Sequence, residues 1–300
     1  MRRFLPAVVL LACWTLRAQT SAPPATWKPV LDRLEATGVV ALSSWRFHTD
    51  VAHPEDPSPD DSGWSEVKAG DHWHGACVLR RSVELPSTVS GYDIRGGRLK
   101  LDLGFDSWSQ VMLTVFSNAS IVGRVDSDML QPIPITESAQ PGQKFLIAIR
   151  VDVGDTDVTL TRARLLIEPP SARPDPGLLR MEILSAYPVV HAYEQDQVAR
   201  EQALDAAVKA VDMTALDRGD QAAFDNSLRN AQTKLEPLRP WLQQFTIRAT
   251  GNSHIDMAWL WPWTETVEVV RNTFRSALDL MREYPDFTFS MGSAQTFYWM

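Results

Sequence analysis

The chain has 300 residues, of which 44% are hydrophobic and 22% are charged. These proportions are typical of a globular protein. The length suggests about two domains. The formal net charge of -8, with no basic cluster beyond the first residues, argues against a nucleic-acid partner. Eleven tryptophans is a high number for this length, and most of them are expected to fill hydrophobic cores.

The first residues have the pattern of an export signal. Arg2 and Arg3 supply a positive start, and the apolar run over residues 4–12 is too short to span a bilayer. Ala18 gives a small residue at a suitable cleavage point. The pattern predicts a secretory signal peptide over residues 1–18, and therefore export to the periplasm or the extracellular space.

A lipoprotein signal is a second interpretation of this segment. The run LLAC over residues 10–13 is similar to the box that precedes a lipidated cysteine, here Cys13. Its middle leucine and its short distance from the start of the chain favour the first interpretation. No later apolar run reaches membrane length. Cys77 alone would remain after cleavage near Ala18, so no internal disulfide is expected in the visible mature segment.

Residues 19–38 are expected to form a linker. A spacer rich in proline, alanine and serine is followed by Val30–Ala36, which is predicted to be a short helix with Gly38 as its C-terminal cap. Residues 53–63 are rich in proline, aspartate and serine and are predicted to be a loop.

Residues 39–169 are predicted to form a β-sandwich. Apolar and polar residues alternate over short runs separated by turn residues, which is typical of a sandwich or jelly roll. Strands are expected at Cys77–Pro86, Leu99–Leu103, Val111–Phe116, Ile121–Val125, Phe145–Val153 and Val158–Ile167. Residues 117–120 are expected to connect two of these strands as a hairpin.

Part of this β-region is similar to a known domain. Trp73, the strand Cys77–Pro86 and the segment 118–123 resemble the jelly-roll domain of family 2 glycosidases, over residues 64–167. In that family the domain is described as sugar-binding but often serves as a scaffold, so the resemblance leaves both roles open. Trp73 and Trp108 are accordingly candidates either for sugar platforms or for core residues.

Residues 170–244 are predicted to be a helical linker that packs the β-sandwich against the segment that follows. No catalytic or binding residue is predicted in it. Glu194–Asp212 is rich in helix-forming residues and has one apolar face. After a break at residues 217–220, a second helix is predicted from a stripe of apolar residues at helical spacing: Phe224, Leu228, Ala231, Leu235 and Leu238.

The stretch Phe245–Trp263 has the clearest chemical signal. It is predicted to begin as a strand over Phe245–Thr250, to break at Gly251, and then to place His254 and Asp256 two residues apart. Residues i and i+2 of an extended backbone point to the same side, so these two side chains are expected to aim at one point. Imidazole and carboxylate are common zinc ligands, although such a pair is more often an ordinary surface contact.

The residues that follow predict a β/α unit. A helix is expected from Thr264 as N-cap to Pro285, followed by a strand over Phe287–Met291 and a further helix after Ser293. Strand, polar loop, helix and strand in this order are typical of parallel α/β folds, in which sites form at the carboxyl ends of strands. The imidazole and carboxylate pair lies at such an end.

An ordered series of motifs then makes residues 245–300 recognisable. The motifs are SHIDMAWLWP (253–262), ET (265–266), RNTF (271–274), LMREYP (280–285) and AQ-x-F-x-W (294–299). Together they closely resemble the start of the catalytic domain of glycoside hydrolase family 38, the α-mannosidases. Asn252 departs from the pattern, since many members have a second histidine there, but the position is not a ligand position.

The resemblance implies a zinc-dependent, retaining α-mannosidase that removes terminal α-mannosides from glycans. It implies that His254 and Asp256 bind one zinc ion and that Trp259 packs on the sugar. An aspartate that is both ligand and nucleophile, a further histidine ligand and the general acid are expected downstream. The oligomeric state does not follow from the sequence.

The expected fold is that of a multidomain α+β protein. It consists of an N-terminal β-sandwich of jelly-roll type, a helical linker, and the first β/α unit of an α/β barrel-like catalytic domain that residues 245–300 leave incomplete. The chain is interpreted either as an N-terminal fragment, which is the favoured interpretation, or as a truncated and inactive relative; in both cases it would not hydrolyse α-mannosides by itself. Two other classes stay open: a non-catalytic carbohydrate-binding protein, and another metal-dependent carbohydrate hydrolase such as a deacetylase.

Overall fold

The structure is a computed structural model that describes residues 22–49, 51–57, 60–246, 249–256 and 261–300. It divides into two compact units, Met1–Arg239 and Pro240–Met300. The predicted signal peptide with Cys13 lies outside the described residues, and so does Trp259. Within the described ranges, no helix is long and apolar enough to cross a membrane.

The first unit combines strands with a layer of helices. Its strands are β1 (Val39–Ala41), β2 (Trp45–His48), β3 (Ser65–Val67), β4 (His72–His74), β5 (Cys77–Glu84), β6 (Thr88–Val89), β7 (Tyr92–Asp93), β8 (Arg98–Ser107), β9 (Met112–Ser117), β10 (Ser120–Asp126), β11 (Ile133–Thr136), β12 (Lys144–Asp152) and β13 (Asp157–Glu168). Its helices are α1 (Lys28–Ala36), α2 (Pro176–His191), α3 (Gln197–Ala210), α4 (Met213–Asp217) and α5 (Gln221–Leu235), and α6 (Arg239–Leu242) contains the boundary between the units.

Two large antiparallel sheets form most of the β-region, as the alternating runs predict, and β6 and β7 pair as a separate two-stranded sheet. One sheet has the strand order β10-β9-β12-β5-β2-β3, and the other has the order β1-β13-β8-β11 with β4 also paired to β13. The inward-facing side chains of both sheets belong to one buried core, which includes Leu79 and Ile149 from the first sheet and Leu101 and Leu165 from the second. Burial of these alternating side chains provides the main stabilisation of the sandwich.

The hairpin between β9 and β10 is confirmed at the predicted residues. Ser117 pairs with Ser120, and Asn118 and Ala119 both have positive φ angles, of 46° and 68°. Positive φ at both central residues matches the right-handed twist of two-residue hairpins. The Asn118 side chain accepts a hydrogen bond from the backbone N–H of Leu146 at 2.8 Å, which fastens the turn to β12.

Trp73 and Trp108, the candidates for either sugar platforms or core residues, lie in opposite environments. Trp73 is 8% exposed and its ring lies between those of Phe47 and Phe105, at centroid distances of 5.6 and 6.4 Å. Trp73 is therefore a core residue. Trp108, in the loop between β8 and β9, is 96% exposed. Cys77 is a buried free thiol, and its burial raises the pKa of the thiol.

Helix α1 is held by contacts distant in sequence. The predicted helix Val30–Ala36 is confirmed, and the N–H of Gly38 donates to the carbonyl of Glu35 at 3.1 Å. At its other end, Trp27 is 2% exposed and its indole N–H donates to the carboxylate of Asp205 on α3 at 3.1 Å.

The helical layer contains two helices that the sequence patterns do not predict, α2 and the short α4. The two predicted helices are confirmed as α3 and α5, and the stripe residues Phe224, Leu228 and Ala231 are buried. Helix α2 is the longer of the two unpredicted helices. Its N-cap Asp175 accepts from two backbone N–H groups, and the helix contacts α1, α3 and α5.

The second unit is a β/α unit with a parallel strand pair. Strand β14 (Gly251–Ser253) pairs in parallel with β15 (Phe289–Met291), and α7 (Trp263–Glu283) connects them, followed by α8 (Ala294–Tyr298). Parallel strands joined by a helix are the arrangement that the motif order predicts.

Two local predictions in this unit are wrong. The strand predicted over Phe245–Thr250 is absent at the described positions of that range, and Gly251 begins the strand instead of breaking it. The backbone N–H of Phe245 donates to the carbonyl of Leu242, and the ring centroids of Phe245 and Trp241 are 5.3 Å apart. Phe245 therefore belongs to a turn after α6. Thr264 is not the N-cap of the next helix.

The N-cap of α7 is Pro262. Its extended backbone, with φ -70° and ψ 155°, ends the preceding loop, and its carbonyl accepts hydrogen bonds from the N–H groups of Glu265 and Thr266 at 3.0 and 3.3 Å. The helix ends at Glu283, before Pro285 as predicted.

Candidate functional site

The candidate site begins at β14, which requires a glycine at its first residue. The N–H of Gly251 donates to the carbonyl of Thr288 at 2.7 Å. A Cβ at this position would lie 2.9 Å from the ring of Phe287, closer than van der Waals contact allows. Gly251 therefore permits the close approach of the two parallel strands.

His254 and Asp256 follow the carboxyl end of β14 and contact each other. His254 Nε2 lies 2.9 Å from Asp256 Oδ1. The two side chains are 85% and 40% exposed, so both are accessible to a ligand from solvent. The structure thus brings together the two residues that the spacing predicts to converge.

Thr266 connects this loop to the first turn of α7. Its hydroxyl donates to the backbone carbonyl of Asp256 at 3.4 Å and accepts from the indole N–H of Trp261 at 2.9 Å. Thr266 is fully buried. The helix start therefore fixes the backbone on which the carboxylate of Asp256 stands. The motif ET (265–266) contains Thr266 but gives it no role, because no local pattern encodes a hydrogen bond across ten residues.

The chemistry of the pair fits a zinc ion, but the number of donors is incomplete. An imidazole nitrogen and a carboxylate oxygen are both ordinary zinc ligands, whereas a zinc shell has about four ligands. Among the residues that the structure describes, no group of three or more His, Cys, Asp or Glu side chains could hold a metal ion. His254 and Asp256 can therefore supply part of a shell, and other donors would have to complete it.

A groove in the second unit does not contain this pair. A groove of about 480 Å³ lies against β14, β15 and α7, and its lining includes Asn252, Asn272, Val269, Leu280 and Phe289. Neither His254 nor Asp256 lines it. The groove and the candidate metal ligands are thus separate features. The type of reaction is inferred from the ligands and not from the groove.

Trp259, the predicted sugar-packing residue, falls in the segment 257–260 that the structure leaves undescribed. Two other tryptophans of the unit contact each other. Trp263 is 59% exposed, and its ring centroid lies 6.4 Å from that of Trp299.

Comparison with known proteins shows what residues 244–300 resemble. The family model for the glycosyl hydrolases family 38 N-terminal domain matches residues 244–300. Human alpha-mannosidase 2C1 is 47% identical over 57 residues, which cover 19% of this chain and 6% of the relative. Alpha-mannosidase G from Dictyostelium discoideum is 23% identical over 195 residues, which cover 60% of this chain and 17% of the relative. The resemblance of residues 245–300 to family 38 is therefore confirmed, and the chain spans a small part of these relatives.

Solved structures resemble part of the chain weakly. A glycosyl hydrolase family 2 member from Bacteroides cellulosilyticus has a TM-score of 0.35 and 18% identity, covering 44% of this chain and 21% of that chain. A beta-glucuronidase from Bacteroides uniformis has a TM-score of 0.34 and 19% identity, covering 44% of this chain and 18% of that chain. A likeness at this level says nothing about the activity of this chain.

Proposed function

We propose that this chain is the N-terminal part of a glycoside hydrolase that removes terminal α-mannosides from glycans. The observation that carries the proposal is the family 38 match over residues 244–300, in which His254 and Asp256 contact each other after the end of a parallel strand. Side chains at the carboxyl ends of parallel strands are the usual place for an active site in α/β folds.

In this proposal His254 and Asp256 bind one zinc ion. A zinc ion there would act as a Lewis acid toward hydroxyl groups of the sugar. The chain's own residues hold and orient the ligands: the imidazole and the carboxylate supply two donors, and Thr266 fixes the backbone of Asp256. Trp259 would offer its apolar face to the C–H side of the sugar ring.

The proposal extends to the whole catalytic domain and to export. The β/α unit would be the first of an α/β barrel-like domain. A retaining mechanism needs a nucleophilic carboxylate and an acid/base carboxyl group about 5 Å apart, and neither is assigned within residues 1–300. Export through the segment 1–18 would place the enzyme in the periplasm or outside the cell.

The metal content and activity of the full-length protein test this proposal. We expect the full-length His254→Ala variant to lose zinc, measured by elemental analysis, together with hydrolysis of an aryl α-mannoside. His72→Ala is the matched control, because it removes an exposed histidine from β4 in the first unit. Unchanged zinc and turnover in the His254→Ala variant would refute the proposed site.

The same preparation separates the other two function classes. A carbohydrate deacetylase would release acetate from an acetylated sugar and would leave the aryl α-mannoside intact. A non-catalytic carbohydrate-binding protein would be retarded by mannan in a native gel without turnover of either substrate. The chain of residues 1–300 is itself expected to be inactive, and turnover of an aryl α-mannoside by it would contradict that expectation.

A further inference from the structure

A second candidate site lies at one end of the β-sandwich, beside Trp108. This residue directly follows β8 and is 96% exposed, although tryptophan is highly buried on average in folded proteins. Ser107, the last residue of β8, pairs in register with Val158 near the start of β13, and its hydroxyl donates to the carbonyl of Asp157 at 2.8 Å. Trp108 therefore lies next to the first residues of β13, with most of its side chain in solvent.

The strand register brings polar side chains to the same place. Val158 is fully buried and belongs to the core, so Asp157 and Thr159 on either side of it face outward. Thr159 pairs directly with Asp106 of β8, and directly paired residues of antiparallel strands share a face, with Cα atoms about 4.5–5.5 Å apart. Asp106, Asp157 and Thr159 thus lie on one outward face, and Trp108 follows Asp106 by two residues. We call these four residues the Trp108 face.

The polar groups of the Trp108 face differ in their partners. His74 lies between two carboxylates, with Nδ1 2.9 Å from Asp157 Oδ1 and Nε2 2.7 Å from Asp155 Oδ1. These hydrogen bonds raise the pKa of His74, and the first of them restrains the side chain of Asp157. By contrast, the side chains of Asp106 and Thr159 make no hydrogen bond or ion pair with any other residue that the structure describes. Both are therefore available to a ligand.

We propose that the Trp108 face binds mannose units of a glycan, as an accessory site in addition to the proposed zinc ligands. The flat indole ring offers an apolar surface to the C–H side of a sugar ring. The carboxylate of Asp106 accepts hydrogen bonds from sugar hydroxyls, and the hydroxyl of Thr159 can donate or accept. The choice of mannose rests on the proposed function, since an α-mannosidase would meet mannose-containing glycans as its own substrates.

A sugar fits this face better than a protein partner does. The centre of a protein interface is depleted of charged residues and enriched in aromatic ones, whereas the Trp108 face has one aromatic ring beside two carboxylates and a hydroxyl. A ligand with C–H groups on its face and hydroxyl groups at its edge matches that combination. Because one stacked ring and a few hydrogen bonds form the site, we expect a dissociation constant on the order of 1 mM.

Nuclear magnetic resonance titration of the full chain with α-linked mannotriose tests the site. Zinc is first removed with a chelator, so that zinc-mediated binding does not contribute, and the line broadening of the mannotriose protons gives the affinity. We expect Trp108→Ala to weaken binding by roughly tenfold, because the stacking surface is lost. Asp106→Asn keeps the shape of the side chain but loses the charge, and should weaken binding by roughly threefold.

Tyr193→Ala is the matched control, since it removes an exposed aromatic ring from the same unit, between α2 and α3. It should bind mannotriose like the parent chain. Trp108→Phe keeps an aromatic face, should retain part of the affinity, and serves if the alanine variant does not fold. The site is refuted if mannotriose does not bind at up to about 10 mM, or if Trp108→Ala and Tyr193→Ala bind equally well.

Failure of this site and failure of the proposed glycosidase give different results. Binding is measured in the chain of residues 1–300, which is expected to be inactive, whereas hydrolysis is measured in the full-length protein. A full-length protein without turnover of an aryl α-mannoside would contradict the glycosidase and leave the effect of Trp108→Ala on mannotriose binding unchanged. An active full-length protein whose N-terminal chain does not bind mannotriose would contradict the Trp108 face alone.

Discussion

Arg173 and Asp225 form a two-point ion pair that fastens α5 to the segment before α2. The Nε–Oδ2 and Nη2–Oδ1 distances are 2.9 and 3.3 Å, and the side chains are 18% and 10% exposed. The same guanidinium donates to the carbonyl of Asp93 at 2.8 Å and lies 4.3 Å from the ring centroid of Tyr92. One side chain thus connects the helical layer to strand β7 of the first unit.

Removing the carboxylate of this pair should therefore destabilise the first unit strongly. We expect Asp225→Ala to lower the free energy of unfolding by about 3–5 kcal/mol, because it leaves a mostly buried guanidinium without its anion. Glu137→Ala is the control, since it breaks the exposed pair with Arg98, and should cost about 1 kcal/mol at most. Urea unfolding measures both, and equal midpoints for the two variants would contradict the assignment.

Thr266 should affect metal binding without being a ligand. If His254 and Asp256 hold zinc, Thr266→Val keeps the shape of the side chain but loses the hydroxyl that bonds Asp256 and Trp261. We expect the zinc dissociation constant of the full-length protein to rise by roughly tenfold, the lower end of the effect of losing an outer hydrogen bond. Thr264→Val, at an exposed position of the same helix turn, should leave it unchanged. A competition assay with a chromogenic chelator gives both constants.

A side chain at position 251 should strain the start of β14. Gly251→Ala places a Cβ against Phe287, and overpacking of this kind costs about 1–3 kcal/mol. We expect faster hydrogen exchange at the N–H of residue 251, because its bond to Thr288 must lengthen. Gly292→Ala is the matched control in the same unit, where an added Cβ meets nothing within 4 Å. If both variants exchange at the parent rate, the close approach of β14 and β15 is not a real constraint.

His74 should make the stability of the sandwich depend on pH. Its Nε2 lies 2.7 Å from Asp155 and its Nδ1 lies 2.9 Å from Asp157, and these hydrogen bonds raise the pKa of His74 above 6.5. A raised folded-state pKa gives a stabilisation that is full below pH 6.5 and is lost as the pH rises through the raised value. We therefore expect a melting temperature that falls with rising pH in the parent chain, and less so in His74→Gln.

The control for this pH effect is His72→Gln, on the same strand β4. It should keep the parent's pH profile, and a profile equally altered in both variants would mean that the two aspartates do not hold His74. Nuclear magnetic resonance titration of the imidazole protons provides the direct measurement of its pKa.

The strands of the sandwich could be predicted because each buries one face. Residues such as Leu99, Leu101 and Leu103 alternate with polar ones, and the period of two is visible in the sequence alone. Helix α2 has no such visible stripe. Its buried positions include Leu179 and Ile183, but Leu178 and Met181 are apolar and exposed, so the helical period is blurred. An internal proline also weakens the pattern.

The two candidate metal ligands could be predicted from the sequence, but the residue that holds their loop in place could not. The i, i+2 spacing of His254 and Asp256 was sufficient to predict their convergence, and the structure brings them to 2.9 Å. The strand was misplaced because Phe245 and Thr246 favour strands locally, whereas the turn after α6 determines their conformation. The motif ET (265–266) contains Thr266, but its supporting role follows only from the hydrogen bonds between the helix start and the loop.

The indole of Trp27 has a consequence for biosynthesis. Its partner Asp205 lies 178 residues later in the chain, and α1 also packs on α2. At translation rates of about 5–20 residues per second, the interval between the two residues is on the order of 9–36 s for those 178 residues. Until α2 (Pro176–His191) has been synthesised, the buried face of α1, with Leu31 and Leu34, lacks its contact with that helix. Helix α1 can therefore complete its packing only after most of the first unit has been synthesised.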